Sequence, residues 1–295
     1  MTSFVALTSG TGWHVEDLLR AAGKLGVELR VLPFAEVEAS LGTEAEGVAA
    51  AGVLLDAADG VLVRMMPPGT LEQVVFRMDA LLRLTAAGAT VWNPPRAVEA
   101  AVDKYLTLSL LERRGLPIPT TWTGQTAASA LAAFDALGGD AVVKPLFGSE
   151  GRGLLRVSDR ELAWRCFHAL ERMGSVIYLQ KPIRRPGHDL RLFVLRGRVL
   201  AAMRREARAG EWRTNVALGG RAEAWTPDAE AETMAVAAAE AIGAAFAGVD
   251  VIEDQDAGRR LIVEVNAAPG WKALSQATGI DVAAAVLDAL REASR

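Results

Sequence analysis

In the N-terminal part of the chain, short β-branched apolar runs take turns with longer stretches of helical period. FVALTS, VELRVLPF, DGVLVRMM and ATVWNPP read as strands, while HVEDLLRAAGKLG and LEQVVFRMDALLRLTAAG space their apolar residues as one face of a helix. Gly26 stops the first of these helices. Thr70 caps the second, with Gln73 three residues on completing a capping box, and Pro94 and Pro95 end the last strand. Such alternation predicts a parallel sheet with helices on both faces.

Beyond Asn93 the pattern changes. NPPRAVEAAVDKYLTLSLLERRG predicts one helix after a boundary, and LPIPTTW a link into new structure. DAVVKPLFGSEGRGLLRVSD reads as strand, glycine-rich loop, strand, and SVIYLQKPI as another strand. HDLRLFVLRGRVLAAMRRE predicts an antiparallel hairpin turning near Gly197, and AGVDVIED with RRLIVEVN a second one. An alanine-rich helix is expected over residues 227–245, and DVAAAVLDALREA closes the pattern as a helix. The fold class is therefore α/β followed by α+β. Its expected units are a Rossmann-like parallel sheet over residues 1–95, a central unit with the glycine loop over 96–180, and a unit holding the second hairpin over 181–295.

One strand breaks its own pattern. In LIVEVNAAPG, Glu264 and Asn266 interrupt an apolar run, and residues two apart on a strand point the same way. A carboxylate and a carboxamide are thus aimed side by side from a strand that is otherwise dry. Burying a charge without a partner is costly. Asp250, in AGVDVI, falls near Glu264 if the two strands pair across the 254–258 turn. Three such oxygen ligands suit Mg²⁺, and the absence of Cys or His nearby makes them poor for Zn²⁺.

Composition narrows the class. The 295 residues are 51% hydrophobic and 23% charged, which describes a folded globular chain rather than a disordered one. Cys166 is the single cysteine, so no internal disulfide forms, as expected in a reducing compartment. MTSFVALTSG has no basic region before its apolar stretch and reads as a strand rather than a signal peptide. No apolar run approaches the roughly 18 residues of a membrane span, so a cytoplasmic protein with no membrane partner is expected. The net charge of −4 argues against a nucleic-acid partner. Residues 184–213 nevertheless hold nine arginines against Asp189, Glu206 and Glu211, a local excess of +6 that suits an anionic ligand.

Candidate chemistry clusters in the last two units. Lys144 precedes LFGSEGRG, where it serves as a point charge on a phosphate while backbone amides around Gly148, Gly151 and Gly153 cover the same group. Lys104 in VDKY supplies a second cation. Asp189 and Arg191 share one strand face, and Arg213 and Asn215 repeat that spacing. In SGTGWH the third glycine of G-x-G-x-x-G falls on Val15, and no G-x-x-x-x-G-K-[ST] occurs, so the common phosphate loops are absent. The turn still lies at the carboxyl end of a strand, a natural place for substrate contact. No G-x-S-x-G elbow is present, and Cys166 lies within a helical pattern as a core residue. Among the histidines, His168 reads as structural and His188, beside Asp189, as the candidate base.

The ordered set VDK, VVKPLFGSEGRG, LQKPI, HDLRLF, WRTNVALGG, GVDVI and IVEVNAAPG resembles the ATP-grasp ligases, and among them the RimK-type α-L-glutamate ligases, from about Asn93 onward. The resemblance implies two β-rich subdomains gripping ATP, which would be residues 96–180 and 181–295. It places Lys104, Lys144, Gly148, Ser149, Gly151 and Gly153 on the phosphates, and Gln180, Lys181, Pro182 and Ile183 along the adenine edge. Asp189 and Arg205 also fall to the nucleotide side. Asp250, Glu264 and Asn266 would hold Mg²⁺, with Mn²⁺ as a substitute, and Arg191, Arg213 and Asn215 would stabilise an acyl-phosphate and the tetrahedral intermediate. Two departures stand out: Lys181 and Pro182 replace Gln-Glu before the hinge aromatic, and VALGG lacks a basic residue common in relatives. MPPGTLEQVVFRMDALLRL followed by NPPRAVEAAVDKY resembles the branch that adds glutamate to tetrahydromethanopterin. The implied activity is ATP-dependent ligation of L-glutamate to an acceptor carboxylate, with ATP, L-glutamate and a pterin-type acceptor as small-molecule substrates and a homo-oligomer as the assembly. The alternatives are an acidic peptide acceptor, such as a protein C-terminus or carrier protein, and a non-catalytic nucleotide-binding module.

Overall fold

The computed structural model describes residues 2–42, 47–148, 153–207 and 220–295. Its first part runs β1 (Ser3–Thr8), α1 (Trp13–Leu25), β2 (Glu28–Pro33), β3 (Val37–Ser40), β4 (Gly47–Ala50), β5 (Val53–Leu54), β6 (Gly60–Val63), α2 (Leu71–Ala86) and β7 (Val91–Trp92). β2, β1, β6 and β7 form a parallel sheet in that order, as the alternation predicts. Thr70 closes the expected capping box: its Oγ1 accepts from Gln73 N at 3.3 Å, and Thr70 N donates to Gln73 Oε1 at 3.1 Å. The small antiparallel ribbon β3–β5 has no counterpart in the sequence pattern above.

The single helix expected after Asn93 is two helices, α3 (Pro95–Val102) and α4 (Lys104–Arg113). Asp103 takes extended backbone between them, and its Oδ1 accepts from Tyr105 N and Leu106 N at 2.8 and 3.0 Å. An acidic N-cap thus starts a new helix on Lys104. The central unit follows with β8 (Thr121–Gly124), α5 (Ala127–Ala136), β9 (Ala141–Lys144), β10 (Leu155–Val157), α6 (Arg160–Arg172) and β11 (Ile177–Gln180). Its strands form an antiparallel sheet ordered β10-β9-β11-β8, over a core where the Phe134 and Phe167 rings meet at 6.2 Å.

The remainder comprises β12 (His188–Leu195), β13 (Arg198–Glu206), β14 (Arg221–Ala224), α7 (Ala229–Ala241), β15 (Phe246–Asp254), β16 (Arg259–Asn266), α8 (Lys272–Thr278) and α9 (Val282–Ala293). The strands make one antiparallel sheet, β14-β13-β12-β15-β16. The β12–β13 turn is built on Arg196 and Gly197, both with positive φ, which matches the twist of a two-residue hairpin. α7 is shorter than the 227–245 pattern, because Asp228 caps it through Ala231 N and Gly243 adopts a positive φ just past its end. No single helix among the described residues is long and apolar enough to cross a membrane.

The first and last units share a core. Leu18, Ala21 and Ala22 of α1 pack with Val282, Val286, Leu287 and Leu290 of α9, alongside Phe193, Phe246 and Trp271. Asn93, fully buried after β7, ties the same units together. Its amide donates to the carbonyls of Phe246 and Ala267, and its Oδ1 accepts from Ala245 N and Phe246 N. Asn93→Ala strands four backbone groups, three of them on buried residues, and is expected to cost roughly 3–5 kcal/mol, read as a lower midpoint in urea denaturation.

Candidate active site

The β15–β16 hairpin sets the site. Asp250 lies directly opposite Glu264, and Gly248 opposite Asn266, so the residues singled out in the sequence meet across the ladder. A bulge between Asp250 and Val251 shifts the pairing by one residue beyond this point. β12 adds Arg191 on the other side of Asp250. Glycine is required at 248: a Cβ there would sit 2.8 Å from Pro269 Cβ.

Two arginines and two aspartates form a buried chain of ion pairs across β13, β12 and β15. Arg191 grips Asp250 through both oxygens at 2.6 Å, and Arg205 grips Asp189 at 2.6 and 2.9 Å. Arg205 also reaches Asp250 Oδ2 at 3.1 Å. Burial pushes the Asp250 carboxyl up, but Arg191 and Arg205 more than reverse this and hold it below its ordinary value. For Arg205 burial acts downward, and Asp250 and Asp189 outweigh it, so its pKa rises. The chain is charge-balanced and satisfied, as buried charges must be.

Facing it are the lysines. Lys144 Nζ donates to Gln180 Oε1 at 2.6 Å, and Gln180 Nε2 is in turn held by Thr121 Oγ1 at 3.0 Å. Gln180, expected at the adenine edge, therefore spends its side chain on orienting Lys144. Lys104 Nζ donates to Gly148 O at 2.5 Å, which joins the start of α4 to the glycine loop. Burial pulls Lys144 down to about 8, against the pull of Glu264 and with help from Lys104 and Arg185. Lys104 is lowered by burial as well, with Glu264 and Asp103 opposing. Arg185 is a cation that sequence reasoning misses; it belongs to the basic stretch, but nothing in its spacing marks it. His188 Nε2 lies 3.4 Å from Glu253, at the rim of this sheet rather than among the lysines.

Glu264 and Asn266 are half-buried, and their side chains have no hydrogen-bond partner among the described residues. No three His, Cys, Asp or Glu side chains gather as a metal cluster among those residues. Two hard oxygen donors, beside an Asp250 whose Oδ1 keeps a lone pair, fit a Mg²⁺ that takes its other ligands from water and phosphate. A cavity of about 280 Å³ lies between Lys181, Pro182, Ile183, the 118–120 segment and Leu261, next to the expected adenine edge. Gly153 takes a positive φ at the far end of the glycine loop. Ser149, Gly151, Arg213 and Asn215 lie outside the described residues.

Residues 101–290 match the model of the RimK-like ATP-grasp domain. The chain belongs to the RimK-like ATP-grasp family. The ATP-grasp chain is 34% identical to the tetrahydromethanopterin:alpha-L-glutamate ligase of Methanosarcina acetivorans, over 97% of this chain and 98% of that one. It is 32% identical to a probable alpha-L-glutamate ligase of Shewanella amazonensis, over 96% and 92% of the two chains. In fold it is similar to the ATP-grasp ligase PsnB complexed with minimal precursor (TM-score 0.78, 23% identity, 100% and 99% covered) and to D-alanine–D-alanine ligase from Bacillus anthracis (TM-score 0.68, 17% identity, 100% and 97%). ATP-grasp membership makes the protein an ATP-dependent carboxylate–amine ligase that binds nucleotide and Mg²⁺.

Proposed function

We propose that the protein adds L-glutamate to a carboxylate of tetrahydromethanopterin. An acceptor carboxylate oxygen attacks the γ-phosphorus of ATP, ADP departs, and the glutamate amine then displaces phosphate to form the amide. Chemistry of this kind needs positioning and neutralised charge rather than a side-chain nucleophile. The supporting observation is that Glu264 lies near enough to Lys104 and Lys144 to favour the charged form of both, with Asp250 beside it held ionised by Arg191. Near-full-length similarity to a ligase named for this acceptor supports the choice of substrate. In this reading Glu264, Asn266 and Asp250 hold Mg²⁺, which would screen the triphosphate and polarise its γ-phosphate. Lys104, Lys144, Gly148, Ser149, Gly151 and Gly153 receive the phosphates, and Lys181, Pro182 and Ile183 line the adenine beside Gln180. Arg191, Arg213 and Asn215 face the acyl-phosphate, while Asp189 and Arg205 brace Asp250. The working units are residues 1–95, 96–180 and 181–295.

ADP release that depends on both glutamate and acceptor, with mass spectrometry of the acceptor, tests the proposal. A pterin that gains glutamyl units supports it. A peptide that gains them instead, with the pterin unchanged, moves the acceptor to the peptide class.

Lys144 predicts a pH dependence. Its pKa in the fold, about 8, lies below the ordinary 10.5, so between these values the unfolded chain binds more protons and this group makes the fold more stable as pH rises. Phosphate acts oppositely, since it needs the ammonium form. ADP affinity should therefore fall as pH climbs through about 8, and binding should take up a proton there. Calorimetry in buffers of different ionisation enthalpy measures that uptake, and Lys144→Met should abolish it. Equal uptake in the variant would exclude Lys144 from the phosphates.

A further inference from the structure

The parallel sheet has its own unexplained charge. Arg64 directly follows β6 and is only 6% exposed. Its Nη2 donates to Pro269 O at 3.2 Å, and its guanidinium lies 4.1 Å above the Trp271 ring. Nη1 is shielded, and among the described residues it has no hydrogen-bond partner and no carboxylate pairs with this side chain. A guanidinium has five N–H donors, and burying one without an anion is costly. Burial pulls it down to about 10, still charged at neutral pH. Arg205, buried to a similar degree, is matched by two aspartates, whereas Arg77 donates Nη1 to the Pro67 carbonyl and Arg64 leaves Nη1 unused.

The surroundings are positive as well. α1 is preceded by Gly12 as N-cap with no side-chain cap; Val15 N and Glu16 N donate to Gly12 O, which leaves the N–H groups of Trp13 and His14 to an outside acceptor. His14 is pulled down to about 4 by burial and by Arg64, so it is neutral and accepts from Trp271 N at 3.0 Å. Lys272 stands over Trp13 at 5.7 Å. Asp17, the acid nearby, is occupied by Trp271 Nε1 and Arg20.

Topology puts all of this in one place. In the order β2-β1-β6-β7 the chain leaves β1 in opposite directions, so the switch point falls between β1 and β6. Ligands of open parallel sheets bind in the crevice outside the strands' carboxyl ends at such a point. The loops there are the 9–12 turn and the segment opened by Arg64. The crevice adjoins the candidate active site, because the Pro269 held by Arg64 abuts Gly248, and a Cβ at position 248 would lie 3.9 Å from Arg191 Nε.

We propose that Arg64 and the uncapped start of α1 form a binding site for a non-reacting carboxylate of one of the ligase's two organic substrates. The site rests on the ligase reading above and deepens it: the missing counter-ion of Arg64 arrives with the substrate. Nη1 is shielded, so a ligand reaches it only once its cover moves, and side-chain positions at Gly10 and Gly12 on the adjoining turn face open space. The carboxylate can come from the amino acid or from the acceptor, and the test separates the two.

Equilibrium binding of L-glutamate, of its α-amide, of L-glutamine and of the pterin acceptor is measured on the full chain, with ADP as a control, for the parent, Arg64→Met and Arg64→Lys. In the parent, an amide replacing the bound carboxylate weakens binding. Arg64→Met should weaken the carboxylate ligand at least about tenfold and erase its advantage over the amide, with ADP unchanged and Arg64→Lys intermediate. Loss confined to glutamate assigns the site to the amino acid, and loss confined to the pterin assigns it to the acceptor. Parent-like binding in Arg64→Met, a loss shared equally with ADP, or a parent that binds none of the carboxylates overturns the site. Should Arg64→Met not fold, parent-like binding and selectivity in Arg64→Lys overturn it. Arg64-dependent glutamate binding without any glutamate-dependent ADP release would instead sink the ligase reading and leave the site standing.

Discussion

Glu264→Ala is expected to lower ADP-forming turnover at least about a hundredfold while leaving the fold as stable as the parent. The side chain points from an apolar strand, has no hydrogen-bond partner among the described residues, and sits opposite Asp250. Removing it therefore breaks no packing and deletes one of two free oxygen donors. It also removes the negative charge that props up Lys104 and Lys144, so both lysines would lose protons more easily. Turnover assayed over a range of Mg²⁺, together with urea denaturation, separates these effects. Activity within a few-fold of the parent at every Mg²⁺ level would remove Glu264 from the metal site.

Asp250→Ala should behave differently, costing about 3–5 kcal/mol of stability as well as activity. Asp250 is 5% exposed and serves two guanidinium groups, so its loss leaves Arg191 unpaired and Arg205 with Asp189 alone. The cost belongs to the stranded charge more than to the lost pair. Asp250→Ala combined with Arg191→Met should then be less destabilised than the sum of the single changes, a coupling that denaturant midpoints of the four proteins measure directly. Strict additivity would mean that the Arg191–Asp250 pair does not brace the sheet.

Much of the site is legible in the sequence. The alternation around Glu264 and Asn266 places both on one strand face, and the hairpin period brings Asp250 to them. What escapes is long-range. The chain Asp189–Arg205–Asp250–Arg191 crosses three neighbouring strands, and no local pattern specifies that β12 lies between β13 and β15. The bulge opposite Asp250 and Val251, where Val263 of β16 is the extra residue, has no signature in LIVEVN. The bond from Lys144 to Gln180 is not legible either, because 36 residues separate the two in sequence. Asp103 is legible in principle, since an acidic residue before a helical run is a capping signal, but the apolar period on either side favours one continuous helix. The strands of the β3–β5 ribbon are only four, four and two residues long and carry three alanines, too weak a pattern for a strand assignment.

The packing of α9 on α1 has a consequence for synthesis. Arg20 and Asp281 meet at 2.6 Å although 261 positions separate them, and Leu290 and Ser294 close over Gly60 at the start of β6. The parallel sheet is translated before the other two units, yet one of its covering layers, α9, is translated after both of their sheets. Until then α1 can pack only against its own sheet, on residues such as Phe4 and Leu62, and the apolar surface that α9 covers stays open through most of elongation.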